Sequence, residues 1–161
     1  MPIPPSLLQR PGALLVIAAR TGQERANSRL APLGLTVRTC GVMNLLADQG
    51  PLSQQAIGEL LGIDRTTMVE IVDQLEEAGI ARRLPNPHDR RSYLVTLTAG
   101  GKGKQRRAAK AFDDAVEDFF SPLGRAERVQ FTEMLQRLLA HATGPSATDP
   151  LTDRHHKKSS A

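Results

Sequence analysis

Apolar residues recurring at three- and four-residue spacing, capping residues and glycines between those stretches, and one β-branched segment at residues 93–97 predict a mainly α protein with a small β-wing. Pro2, Pro4, Pro5 and Pro11 oppose regular helix, so residues 1–11 read as an N-terminal arm, and the first helix runs from about Gly12 to about Leu30. Pro32 and Gly34 close it. Thr36 is placed to cap a second helix through about Gln49, with Cys40, Met43, Leu46 and Ala47 on its apolar side and Gly50 and Pro51 behind it. Ser53 caps a third, short helix that turns Ala56, Ile57 and Leu60 to one face and stops near Gly62. Asp64 caps a fourth, running to about Ala78 over a buried stripe of Met68, Ile71, Val72 and Leu75. Gly79 stands where a left-handed terminating residue is wanted.

From Ile80 the period changes, and a hairpin is expected with strands at about 80–84 and 91–97 and a loop from Pro85 to Arg90. Thr98 caps a long helix to about Phe120. Pro122 and Gly124 break it, a last helix covers about 125–142, and residues 143–161 read as a polar tail. Residues 12–142 then make one domain, with a lobe at about 36–98 and flanking helices at about 12–31 and 98–142.

Composition narrows the function classes. The chain has 161 residues, 40% apolar and 24% charged, enough to bury a core. Lys and Arg total 21 against 17 for Asp and Glu, a net charge of +4 that permits a polyanionic partner. A lone cysteine, Cys40, excludes an internal disulfide and fits a reducing compartment. Aromatics at 3% leave almost no stacking platform for single strands, whereas duplex recognition needs none. No run approaches the roughly 18 apolar residues of a membrane span, so a cytoplasmic location is expected. The chain has no phosphate-cradling glycine loop, no HExxH and no cysteine–histidine set with a credible ligand count, so neither an enzyme nor a cofactor or metal site is expected.

Two short helices separated by Leu61, Gly62 and Ile63, with a basic hairpin directly after them, suggest a winged helix-turn-helix lobe plus a helical dimerisation region. A helix fits the major groove, and its N-terminal residues reach base edges. Arg65, Thr66, Thr67, Val69, Glu70 and Asp73 face outward on the fourth helix. Arg65 can donate to guanine or phosphate, while Thr66, Thr67 and Val69 offer hydroxyl and methyl contacts. In the hairpin Arg82, Arg83, Arg90 and Arg91 outweigh Asp89, and a thin basic protrusion can enter a minor groove. Glu70, Asp73, Glu76 and Glu77 make the later half of the helix acidic, and Asp73 bridged to a wing arginine would fix the wing against it.

The stretch Leu35 to Gly101 resembles the MarR family of winged-helix transcriptional regulators, above all in DQLEEAGI at Asp73–Ile80, PNPHDRR at Pro85–Arg91, and the LVTLT and Gly101 that follow. The resemblance extends more loosely over residues 12–142. It implies a homodimer paired through its terminal helices, double-stranded DNA as partner, repression or activation at an operator, and release by a small molecule or by cysteine oxidation. Family DNA contacts fall on Arg65, Thr66, Thr67, Val69, Arg90 and Arg91. Glu70 departs, standing where many relatives carry a basic or neutral residue. Gly100, Gly101 and Gly103 loosen the entry to the fifth helix.

Two further expectations concern the flanks and control. Leu14, Leu15, Ile17, Phe119, Phe120, Phe131, Leu135, Leu138 and Leu139 exceed what one small lobe can cover, which predicts pairing across a two-fold axis. The resemblance also implies an effector pocket, with lining from the first, second and fifth helices and its ligand unspecified. Cys40 has two readings, a redox thiol or a small core residue, and a winged helix serving as a protein-docking module is the other alternative.

Overall fold

The computed structural model describes residues 3–143, in two compact units divided after Phe119. The first holds α1 (Pro5–Leu8), α2 (Pro11–Leu30), a 3₁₀ turn (Ala31–Leu33), α3 (Val37–Gln49), β1 (Leu52–Ser53), α4 (Gln54–Leu61), α5 (Arg65–Glu77), β2 (Ala81–Asn86), β3 (Asp89–Leu97) and nearly all of α6 (Ala99–Phe120). The second is built on α7 (Arg125–Thr143). Of the expected polar tail, everything from residue 144 lies outside the described residues. Among the described residues no single helix is long and apolar enough to cross a membrane.

Capping side chains set the helix starts. Thr36 and Thr39 form a reciprocal box, the Thr39 amide donating to Thr36 Oγ1 at 3.2 Å and the Thr36 amide to Thr39 Oγ1 at 2.8 Å. Ser53 Oγ accepts from the Ala56 amide at 3.1 Å, and Asp64 Oδ1 from the Thr67 amide at 3.0 Å. Thr98 does two jobs, accepting from the Gly101 amide at 2.9 Å and donating to the Gly79 carbonyl at 2.7 Å, so the start of α6 is tied to the end of α5. Gly62 ends α4 at φ 63°, a left-handed conformation that glycine adopts without cost and that sets the turn into α5.

The core is a single cluster in the first unit. Met68, Ile71, Val72 and Leu75 of α5 bury their whole stripe against Leu30, Cys40, Val42, Met43, Leu46, Ile57 and Val95. Two expected core residues are displaced. On α3 the buried face is Thr39, Cys40, Val42, Met43 and Leu46, which leaves Ala47 exposed at its edge. On α4 Leu60 is 57% exposed, because the helix goes in on Ile57 and Gly58. A Cβ at Gly58 would stand 2.8 Å from the Ile63 carbonyl oxygen, and that close approach rotates Leu60 outward.

The sheet is antiparallel in the order β1-β3-β2. β2 and β3 pair Ala81 with Leu97 through Pro85 with Tyr93, then slip by a bulge to pair Asn86 with Asp89. The wing is therefore longer than expected, with only Pro87 and His88 at its turn. Side chains close that turn: Asn86 Oδ1 accepts from the His88 amide at 3.0 Å, and Asp89 Oδ1 from the Arg91 amide at 2.9 Å. β1 was not expected at all; its two residues pair Leu52 with Val95 and Ser53 with Leu94. Nor was α1, a single turn inside the proline-rich arm, with Pro5 at its first position where the missing amide costs nothing.

α2 packs on the far end of α6 within the first unit. A Cβ at Gly22 would stand 3.7 Å from the Phe119 ring, Arg25 lies over that ring at 5.7 Å from its centroid, and Arg29 pairs with Asp118. α2 nevertheless leaves Leu14, Leu15 and Val16 exposed. In the second unit the Phe120 and Phe131 rings meet tilted at 53° with centroids 5.8 Å apart, and none of residues 125–142 is buried, with Val129, Met134, Leu138 and Leu139 more than half exposed.

Candidate nucleic-acid interface

The buried stripe of α5 fixes which of its residues face outward. Arg65, Thr66, Val69, Glu70 and Asp73 are all exposed, Val69 at 40%. Thr67 is different. It is half-buried, and its hydroxyl donates to Asp64 Oδ2 at 2.7 Å, so that proton is spent on the cap. The Asp64 carboxyl is held below its ordinary value, first by the Thr67 hydroxyl and then by the Thr67 amide.

Arg83 on β2 joins the wing to α5. Its Nη2 donates to Asp73 Oδ1, its Nη1 to Glu76 Oε2, and its backbone amide to Glu76 Oε1 at 2.9 Å. Nε reaches Gln54 Oε1 on α4 at 3.4 Å. One side chain thus ties the wing to both helices of the turn. Burial works against the guanidinium charge, but the hydrogen bonds to Asp73 and Glu76 outweigh it and hold Arg83 above its ordinary value. Asp73 was the acid expected to meet a wing arginine. Glu76, one turn further on, was read only as part of an acidic stretch; its spacing of three from Asp73 was the available signal. Gln54 was not singled out. Its Nε2 is buried without a partner among the described residues.

Beyond the clamp the wing runs past the start of α5. A cleft of about 1030 Å³ lies between them, with Gln55 and Glu59 of α4, Arg65 and Val69 of α5, and Arg91 and Tyr93 of β3 on its walls. Arg90 lies beside Arg91 on the same strand, and Arg82 is exposed on β2. A second cleft of about 340 Å³ lies on the other side of α5, between Val37, Arg38 and Gly41 of α3 and the turn from Leu61 to Asp64. Of the three helices expected to line an effector pocket, only α3 contributes to either cleft.

Cys40 lies in the core at 2% exposure. Burial pushes its thiol up, the nearby Asp113 charge adds to that, and a hydrogen bond from Asn44 opposes both. Thiolate chemistry is disfavoured there. No group of three or more His, Cys, Asp or Glu side chains able to hold a metal occurs among the described residues.

A helix-turn-helix whose second helix is capped, exposed along one crest and clamped to a basic hairpin defines a winged-helix protein. The MarR family model matches residues 33–92, which span α3 to β3. A putative transcriptional regulatory protein for the hcr operon of Thauera aromatica is 34% identical over 105 residues, 65% of this chain and 63% of that protein, so the match spans less than two thirds of that relative. Among solved structures, the PcaV transcriptional regulator of Streptomyces coelicolor with its natural ligand aligns at TM-score 0.70 and 28% identity, over 84% of this chain and 96% of that one. A mutant MarR from E. coli complexed with operator DNA shares the fold at TM-score 0.75 and 23% identity, over 82% and 95%. Over α3 to β3 the chain is similar in sequence to MarR-family regulators, and over most of its length it shares their winged-helix fold.

Proposed function

We propose that this protein is a cytoplasmic, sequence-specific double-stranded DNA-binding regulator of transcription, acting as a homodimer on a pseudo-palindromic operator and released by a small-molecule effector. The observation that carries the reading is the clamp. Arg83 fixes a basic wing at one angle to a helix whose outward residues are Arg65, Thr66 and Val69, and a helix and a strand pair at a set angle suit adjacent grooves of one duplex. Arg65, Thr66 and Val69 then reach base edges, Arg90 and Arg91 reach the minor groove and its phosphates, and Thr67, its proton held by the cap, offers only its methyl group and an acceptor oxygen.

The dimer is inferred from the exposed apolar faces of α2 and α7, which a second copy would cover. Two lobes related by a two-fold axis call for half-sites about one helical turn apart. Effector release is inferred from similarity to PcaV, which is seen with its natural ligand. We read Cys40 as a core residue rather than a sensor, because it is buried and its thiol is raised. The docking-module alternative is disfavoured by the wing arginines, and nothing in the site suggests catalysis.

Fluorescence anisotropy against random duplex and a selected operator, at several salt concentrations, tests the reading. Phosphate contacts give a log–log salt slope of about 0.9 per contact. Replacing Arg90 or Arg91 by Ala removes two contacts per dimer, so the slope should fall by up to roughly 1.8 and affinity should weaken on both duplexes. Arg65→Ala and Thr66→Ala should instead erode the preference for the operator. Wing substitutions that leave random-duplex affinity untouched would reduce the wing to a solubilising loop and overturn the proposal.

A further inference from the structure

The recognition surface contains a carboxylate that the clamp does not use. Asp73 and Glu76 are both taken by Arg83. Glu70 is exposed in the middle of α5 and has no hydrogen bond or ion pair among the described side chains. At about 100° per residue it lies roughly 40° from Thr66 around the helix, on the crest opposite Met68, Ile71, Val72 and Leu75. Arg65 and Val69 face the wing cleft, and Thr67 faces the second cleft. Thr66 and Glu70 therefore occupy the part of α5 that stands furthest from the core. A helix that enters a groove presents this crest to the base edges.

A carboxylate there is costly unless it is used. It repels the phosphates on both sides and can only accept hydrogen bonds. Guanine shows two acceptors in the major groove and thymine shows O4, so both are repelled. Adenine offers its N6 amine beside the N7 acceptor. Cytosine offers its N4 amine with no adjacent acceptor. We propose that Glu70 reads a cytosine N4 amine in each half-site and rejects guanine and thymine at that position, lowering affinity for random duplex in exchange for base selection. This rests on the DNA-binding reading above.

The test is selection of bound sequences from randomised duplex by the wild type, Glu70→Gln and Glu70→Ala, followed by anisotropy on the selected site. The wild type should select cytosine at one symmetric position per half-site. Glu70→Gln should shift that position toward adenine, which glutamine bonds through N6 and N7, and Glu70→Ala should lose preference there alone. Replacing the cytosine pair by thymine should cost the wild type about tenfold in affinity per half-site and Glu70→Ala little, and both variants should bind random duplex more tightly. Sequence-specific binding with the same base preferences in all three proteins overturns the assignment while leaving the DNA-binding reading intact. Failure of the wild type to bind any duplex removes both.

Discussion

α5 and α7 are helices of similar character on paper, each amphipathic and each carrying several leucines, valines or methionines, yet they are stabilised in opposite ways. α5 buries Met68, Ile71, Val72 and Leu75, is capped by Asp64, and is tied through Asp73 and Glu76 to Arg83. α7 buries none of residues 125–142 and leaves Leu138 and Leu139 at 60% and 63% exposure. Burying one such side chain fully is worth about 1.5–3 kcal/mol. The geometry of α5 is thus set by burial and capping within its own unit, whereas the apolar residues of α7 are left exposed, the face that the proposed dimer would cover. In the proposed dimer α5 would stay rigid within each protomer while a partner covers the flanks.

The sharpest way to break that contrast is to charge α7. Leu138→Lys with Leu139→Lys should dissociate the proposed dimer, each change raising the dissociation constant roughly a thousandfold if it removes a 2 kcal/mol anchor from each protomer. Sedimentation should show monomers at micromolar concentration, while circular dichroism keeps the helix signal of the lobe. A dimer of unchanged affinity would mean that the exposed face of α7 is not the seam.

Next in size is the junction of lobe and α6. A Cβ at Gly101 would lie 1.9 Å from the Ile80 carbonyl oxygen and 3.1 Å from Thr98 Oγ1, so Gly101→Ala must push α6 off the strand end. We expect a loss of roughly 3 kcal/mol in denaturant unfolding, at the upper end for overpacking. Gly103→Ala meets nothing within 4 Å and should stabilise by up to about 1 kcal/mol through helix propensity. Equal effects at the two glycines would show that the close approach does not constrain the fold.

That pair also shows what a sequence displays and what it hides. Gly101 and Gly103 look alike in the chain, and only the third dimension separates a glycine required by contact from one that loosens a helix. Helix starts were legible because Thr36, Ser53, Asp64 and Thr98 are local signals acting on amides three residues away. The stripe of α5 was legible by period. β1 was not, since two residues carry no period and their partners Val95 and Leu94 lie some forty positions on. Leu60 misled for the same reason, its exposure being set by the approach of Gly58 to Ile63. At the site, the exposed arginine and threonine of α5 were evident from spacing, whereas the half-buried Thr67 and the role of Glu76 depend on which partner each side chain meets.

Arg83→Ala tests the clamp itself. It should lower stability by roughly 1–2 kcal/mol, the value of charged hydrogen bonds discounted for the exposure of Asp73 and Glu76. It also leaves those two carboxylates one turn apart without a cation. Affinity for duplex should fall more than stability suggests, because the wing loses its fixed angle. Arg83→Lys, which supplies charge without the fork, should recover stability better than it recovers affinity. A full recovery of both by lysine would make the clamp a matter of charge alone.

The smallest effect expected is at the cap of α5, and its sign follows from linkage. The Asp64 carboxyl is lowered in the folded protein by the Thr67 hydroxyl and amide, so the folded state binds its proton less readily than the unfolded chain. Its charge therefore adds stability above the ordinary aspartate value and loses it as pH falls through the lowered one. Asp64→Asn keeps an oxygen for the Thr67 amide but removes the charge and, with Oδ2 replaced by an amide nitrogen, the acceptor for the Thr67 hydroxyl. The variant should melt slightly below the wild type at pH 7, and the gap should close as the solution is acidified into the range where Asp64 takes up its proton. Thermal melts of the two proteins across that range measure the gap directly. A gap that stays constant with pH would show that the cap works through hydrogen-bond geometry and owes nothing to its charge, in which case the precision of α5 rests on packing and on Arg83 alone.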